Sequence, residues 1–223
     1  MNAPVLLTVR GTLIPRSIEE ARSLHNSTAG SPQGIEVARS LSDLSHCVYA
    51  PAAGAGELSA AKPGELLFLD TWGDPAGLQQ FFSDPRVQEQ GGKMFSARDG
   101  SVWMPARGAF TFHVPPTAAK PPRFVGMMRA PVKSPEAAIA AFAQMVTTNL
   151  GVSRRRGLVS HGLYVRMGPP SEPAEILGLD FWATQEGLAE HYGDPKAMTG
   201  LKEVLAGAPV FSVWEQASGF SEW

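Results

Sequence analysis

The chain has 223 residues, 43% of them hydrophobic and 18% charged, and its 19 basic against 21 acidic residues give a formal net charge of -2. That length holds one large domain or two of about 110 residues, and the composition is that of a folded globular chain, not a disordered one. The near-neutral balance lacks the basic excess of a nucleic-acid binder.

In chain order, the opening MNAPVLLTVRG has no basic start and its apolar run is broken by Thr8 and Arg10, so it reads as a strand over Val5 to Leu13 and not as a signal peptide. A helix follows, opened by Ser17 with Glu20 completing a capping box. A second strand covers His46 to Ala50, and an Ala/Gly/Pro-rich loop (51 to 64) leads to a strongly apolar third strand, LLFLDTW. Next comes a helix with apolar positions at Leu78, Phe81 and Phe82, restarted at Asp84-Pro85 as N-cap and first helical residue. A last strand carries SVW.

The same order then returns. A strand from Phe124 to Ala130 precedes a helix opened by Ser134 and Pro135; strands follow at His161 to Arg166 and in ILGLDFW, then a helix with Leu188, His191 and Tyr192, a restart at Asp194-Pro195, and a second SVW. The pattern EXLXLDXWXXXXGLXXXXXDP occurs twice, as Glu65 to Pro85 and Glu175 to Pro195, at a constant spacing of 110. Ser45, His46 and Tyr49 answer Ser160, His161 and Tyr164, and Ala21 lies 117 residues before Ala138. The chain is therefore read as two copies of one unit, repeat 1 over 1-114 and repeat 2 over 123-223, joined by a proline-rich linker over 115-122.

The order βαββαβ in each copy is the ferredoxin-like α+β pattern, an antiparallel four-stranded sheet with both helices on one face. The other face needs a cover, and a tandem copy supplies it, giving two tandem ferredoxin-like repeats that form an intramolecular dimeric α+β barrel. The third strands put Leu67 and Leu69 on one face, the expected barrel interior, and Phe68, Asp70 and Trp72 on the other.

Strands two and three form an antiparallel hairpin. Pairing His46 with Asp70 and His161 with Asp180 centres each hairpin inside its loop, so each copy sets a His beside an Asp on the face of Trp72 or Trp182. A carboxylate fixes the tautomer of an imidazole and raises its pKa, which suits a general base. The competing reading is a polar pair that serves the sheet alone. His191 interrupts an apolar helical stripe that Phe81 keeps intact in the first copy; Trp72 and Trp182 wall a ligand or cap the core; Tyr49 and Tyr164 can take either face. Cys47, the single cysteine, cannot close an intramolecular disulfide and reads as a small core residue; the cytoplasm is the expected compartment. Arg154 to Arg156 read as a solvated run before a strand. No metal, nucleotide or nucleophile-elbow motif is present, and no 18-residue apolar stretch calls for a membrane.

Leu179 to Met198, LDFWATQEGLAEHYGDPKAM, resembles the antibiotic biosynthesis monooxygenase domain of the dimeric α+β barrel superfamily, in which a strand ending in Trp leads into a helix with a His and then a Pro. Trp182, Leu188, His191 and Pro195 sit at the matching places; the first copy matches through Trp72, Leu78 and Pro85, with Phe81 in place of the histidine. The resemblance implies a cofactor-independent oxygenase or isomerase-like enzyme acting on an aromatic or apolar small molecule. On that reading His161, Asp180 and His191 are catalytic, and Trp182, Tyr164, His46, Asp70 and Trp72 bind substrate. No metal and no cofactor is expected, and neither nucleic acid nor membrane is a partner; the barrel stands alone or pairs as a homodimer. Two alternatives remain. One is a non-catalytic hydrophobic-ligand-binding or stress-related protein of the superfamily; the other is a heme-binding tandem barrel using His161 or His191. The heme-degrading members carry an iron-binding histidine late on the last helix, and 84 to 97 and 194 to 207 contain none.

Overall fold

The computed structural model describes residues 3–114, 123–169 and 171–223; the linker expected at 115–122 lies outside the described residues. The chain divides into two compact units. One comprises the residues up to Pro51 together with Lys62–Met104 and Gln216–Trp223; the other comprises Ala52–Ala61 and Pro105–Glu215. Each unit thus takes in a short segment from beyond its own repeat.

The first unit contains β1 (Val5–Leu13), α1 (Ile18–Ser27), α2 (Pro32–Ser40), β2 (Asp43–Pro51), β3 (Glu65–Trp72), α3 (Pro75–Ser83), α4 (Pro85–Met94) and β4 (Phe95–Pro105). Its strands are antiparallel in the order β4-β1-β3-β2, the ferredoxin-like arrangement. The second contains β5 (Phe112–His113), β6 (Phe124–Pro131), α5 (Pro135–Arg155), β7 (Leu158–Arg166), β8 (Glu175–Trp182), α6 (Gln185–Tyr192) and β9 (Val210–Gln216), in the order β9-β6-β8-β7-β5.

The helices form where capping and proline predict. Ser17 Oγ accepts from the Glu20 N–H at 3.2 Å, and the Glu20 carboxylate reaches back to the Arg16 N–H at 2.8 Å. Ser134 caps α5 with Pro135 behind it, and Asp84 and Asp194 cap new turns that begin with Pro85 and Pro195. Two expectations change. The helix after β1 is broken in two, because Ser31 caps a new start at Pro32, whose ring cannot continue α1. The restart at Asp194-Pro195 is a four-residue 3-10 turn, where Asp84-Pro85 opens the ten-residue α4.

The repeated glycines have a packing cause. A Cβ on Gly77 would lie 1.9 Å from the Leu41 carbonyl oxygen, and one on Gly187 would lie 1.6 Å from that of Arg156. In both units the helix after the third strand meets, backbone to backbone, the C-terminal cap of the helix before the second strand. Arg10 pairs with Glu65 at 2.7 Å and Arg129 with Glu175 at 2.9 Å, so each first strand is also tied to its third. Such partly exposed pairs contribute about 1 kcal/mol. In the first unit Leu66, Phe68 and Trp72 face the helices and pack with Ala21, Phe81 and Phe82, while Leu67 and Leu69 are buried on the opposite face. The run at 154 to 156 is less solvated than expected: Arg154 Nη1 donates to the Leu158 carbonyl, and Arg156 pairs with Glu190 and Asp194.

Candidate functional site

Both hairpins have the expected register, with His46 opposite Asp70 and His161 opposite Asp180. In each, His Nδ1 meets Asp Oδ1 at 2.6 Å, and both partners are buried. A carboxylate at that distance accepts a hydrogen bond from Nδ1–H, so the chemistry of each imidazole depends on what surrounds Nε2. The two units differ there.

In the second unit the dyad faces a cavity of about 30 Å³ lined by Met128, Phe142, Met145, Val146, His191 and Tyr192, among others. That is room for one or two waters. His161 Nε2 makes no hydrogen bond to a described residue, so its lone pair is open to this cavity. Asp180 is held from its other side by the Tyr192 hydroxyl, which donates to Oδ2 at 2.8 Å. Burial and the neighbouring carboxylate push the Tyr192 phenol well above its ordinary pKa, so it stays a donor. Its ring reaches Asp180 by crossing β6 at Gly126, the residue opposite Asp180; a Cβ there would lie 2.4 Å from the ring. Trp182 is fully buried, 5.1 Å from the His191 ring centroid. His191 is kept low in pKa by burial, and its Nδ1 is buried without a partner among the described residues.

In the first unit His46 Nε2 is taken. It lies 3.0 Å from Nε2 of His25 on α1, whose Nδ1 lies 3.0 Å from Asn26 Oδ1. Asn26 is oriented by the segment 216–223: its amide donates to the Gly219 carbonyl at 2.9 Å, and its Oδ1 accepts from the Ser221 N–H at 2.9 Å. The same segment bonds to β2 through Trp223, which exchanges backbone hydrogen bonds with His46 and stacks on its ring at 4.6 Å. Gly30 permits this approach, since a Cβ there would sit 2.6 Å from the His25 ring and 2.8 Å from Ser221. The surrounding cavity, about 100 Å³, is lined by Phe68, Trp72, Phe81, Phe82, Phe95 and Trp223 with Asp43, His25 and His46.

Of the eight residues assigned a role from sequence, His161, Asp180, His191 and Trp182 gather in the second unit, and His46, Asp70 and Trp72 in the first. Tyr164 does not join them. It pairs with Leu177, on the opposite face of β8 from Asp180, so strand alternation points it away from the helices. His25, Asn26, Asp43, Tyr192 and Trp223 were missed. His25 and Tyr192 left a trace, because the repeat sets Phe142 and Phe82 in their places. Cys47 is half-buried, and burial pushes its thiol up to about 11, away from reactivity. Among the described residues no helix is long and apolar enough to cross a membrane, and no three His, Cys, Asp or Glu gather as a metal site. His161, Asp180 and His191 all line the cavity of the second unit.

No family model and no curated relative matches the chain. Solved structures do. An anthrone oxidase-like protein superposes with a TM-score of 0.64 at 13% identity, over 99% of this chain and 95% of its own. A candidate monooxygenase from Lactobacillus acidophilus NCFM gives 0.59 at 11% identity, over 97% and 94%. A ferredoxin-fold protein related to antibiotic biosynthesis monooxygenases from Listeria monocytogenes 4b F2365 gives 0.51 at 13%, over 98% and 96%. At such identities the likeness speaks for the fold alone, and by fold this chain is an α+β protein of two ferredoxin-like repeats in one polypeptide.

Proposed function

We propose that the protein is a small-molecule enzyme of the oxygenase kind, acting without a cofactor on an aromatic substrate with an acidic C–H, and that its catalytic site is the His161–Asp180 dyad of the second unit. The observation that carries the reading is the open Nε2 of His161 against an apolar cavity, where His46 of the first unit has both ring nitrogens engaged. The named activities of fold neighbours, monooxygenase and anthrone oxidase-like, support the same class.

His161 Nε2 removes a proton from a methylene flanked by an aromatic ring and a conjugated carbonyl. Asp180, braced by Tyr192, stabilises the imidazolium that results. The carbanion passes one electron to dioxygen, and the radical pair recombines into a C–O bond; the imidazolium returns its proton to the peroxide. Loss of the second C–H proton to His161 then expels hydroxide, which leaves as water, so CH2 and O2 become C=O and H2O. His191 and Tyr192, which line the cavity, wall the substrate. The cavity admits a ring only if side chains move, and Met128 and Met145 are unbranched residues suited to do so.

The test is oxygen consumption with anthrone-type substrates for the wild type, His161→Ala and Asp180→Asn, with substrate binding followed in parallel. General-base catalysis predicts a loss of about 10²- to 10⁴-fold in kcat for His161→Ala with binding kept. Turnover that survives His161→Ala sinks the proposal.

A further inference from the structure

The first unit buries an acid where the chain had an alternative. β2 bulges between Asp43 and Ser45, and the shift sets Asp43 opposite Trp72 on the inner face. Asp43 is 5% exposed, while its apolar neighbour Leu44 is 57% exposed. The second unit has the same bulge at the same place, between Leu158 and Ser160, and there the inward residue opposite Trp182 is Leu158. The fold therefore accepts a leucine at this position, and the aspartate serves something other than the strand.

Asp43 Oδ1 is buried without a hydrogen bond, and so are the indole N–H groups of Trp72 and Trp223. All three residues line the same cavity. The Trp223 indole lies near enough to favour the ionised carboxyl slightly, yet closes no hydrogen bond with it. Burial, first, and the nearby Asp70 raise Asp43 to about 7, against the opposing pull of His46. An unsatisfied buried acceptor that shares a cavity with unsatisfied donors costs free energy that a ligand group able both to donate and to accept would recover.

The other walls are rings: Phe68 meets Phe95 edge to face at 5.4 Å, and Phe81 meets Trp72 at 5.4 Å and Phe82 at 5.2 Å. At about 100 Å³ the space is near that of the roughly 150 Å³ apolar cavity that takes up benzene. We infer that the first unit holds a second binding site, separate from the His161 dyad, for a single aromatic ring bearing one hydroxyl group, with the ring among Phe68, Phe81, Phe82 and Phe95 and the hydroxyl on Asp43. The site binds and does not turn over its ligand through His46, whose two nitrogens are already committed. This inference does not depend on the activity proposed for the second unit.

The experiment is calorimetric titration of the full chain with phenol, benzene and benzylammonium, for the wild type and for Asp43→Leu, the residue the second unit carries in that place. The expected result is that phenol binds the wild type at least tenfold more tightly than benzene does and loses that advantage in Asp43→Leu, whereas benzene binding and any turnover at His161 persist. Should Asp43→Leu fail to fold, the wild type still decides: phenol must shift the Trp223 indole N–H resonance and benzylammonium must bind more weakly than phenol. Equal binding of phenol and benzene, tighter binding of benzylammonium, or phenol binding unchanged by Asp43→Leu each overturns the inference, as does a failure of phenol to bind at millimolar concentration.

Discussion

The Nε2 atoms of His25 and His46 lie 3.0 Å apart in rings only 8° from parallel, so a single proton sits between the two imidazoles. Which ring owns it follows from the far ends of the chain of contacts. Asn26 Oδ1 accepts from Ser221 and its amide nitrogen donates to Gly219, so the group facing His25 Nδ1 is an oxygen and Nδ1 must carry the proton. A neutral His25 then offers a lone pair at Nε2, and His46 donates to it. Because its Nδ1–H also donates to Asp70 Oδ1, His46 is the imidazolium of the pair. Burial opposes that charge, but the charge and hydrogen bond of Asp70, with Asp43 and Glu222 behind, outweigh it and raise the His46 pKa; burial lowers His25 to about 4.

Nitrogen-15 spectra of the imidazoles at pH 7 should therefore show His46 doubly protonated and His25 as the neutral Nδ1–H tautomer. Asn26→Leu removes the oxygen that selects this tautomer, and the His25 signal should move to the Nε2–H form or to a mixture. An unchanged His25 tautomer in that variant would mean that the segment 216–223 does not set the protonation of the pair.

The same groups impose opposite slopes on stability against pH. His25 has a folded pKa of about 4 against an ordinary 6.5, so the unfolded chain binds its proton first and stability is lost as the pH falls from 6.5 towards 4. His25→Phe, which copies Phe142 of the second unit, should abolish that acid-side loss even where overpacking costs about 1–3 kcal/mol at neutral pH. Urea unfolding at pH 7, 6 and 5 reads the slope directly. A variant as acid-sensitive as the wild type contradicts a neutral buried His25.

Asp43 acts the other way. Its folded pKa, about 7 against an ordinary 3.8, means that the folded state holds its proton longer, so its contribution is full below 3.8 and falls as the pH rises to about 7. In the wild type this fall offsets part of the rise contributed by His25. Asp43→Asn should then show a steeper gain in stability between pH 4 and 6.5 than the wild type does, and the two curves should run parallel above pH 8. If the slopes coincide below pH 6.5, Asp43 titrates normally.

Much of this is legible in the residues themselves. A repeat with a constant spacing fixes two copies of one unit, and the centring of each hairpin on its loop fixes which strand residues oppose each other, because backbone pairing leaves only whole-residue slips. What escaped is of two kinds. Asp43 faces inward only because a bulge moves the register by one residue, and a hydropathy pattern that puts Leu44 inside reads the wrong member of the pair. His25, Asn26 and Trp223 meet across nearly 200 residues of chain through loop and cap geometry that no periodicity encodes. Gly126 is intermediate: it stands opposite Asp180 where Leu7 stands opposite Asp70, and the exchange makes sense only beside Tyr192 for Phe82.

That last exchange is itself testable. In the second unit Gly126 leaves the space that the Tyr192 ring occupies, and the ring carries the hydroxyl that braces Asp180. Gly126→Ala places a methyl 2.4 Å from the ring, so the ring must swing away and the 2.8 Å hydrogen bond to Asp180 must break. Overpacking and a lost bond to a charged group together predict a destabilisation of about 2–4 kcal/mol. Tyr192→Phe removes only the hydroxyl and should cost about 1.5–3 kcal/mol, while the double variant Gly126→Ala/Tyr192→Phe should fall short of the sum, because the bond can be lost only once. Denaturant unfolding of the four proteins gives the coupling. Strict additivity would show that Gly126 and Tyr192 do not act through Asp180, and the second dyad would then be held by the strand pairing alone.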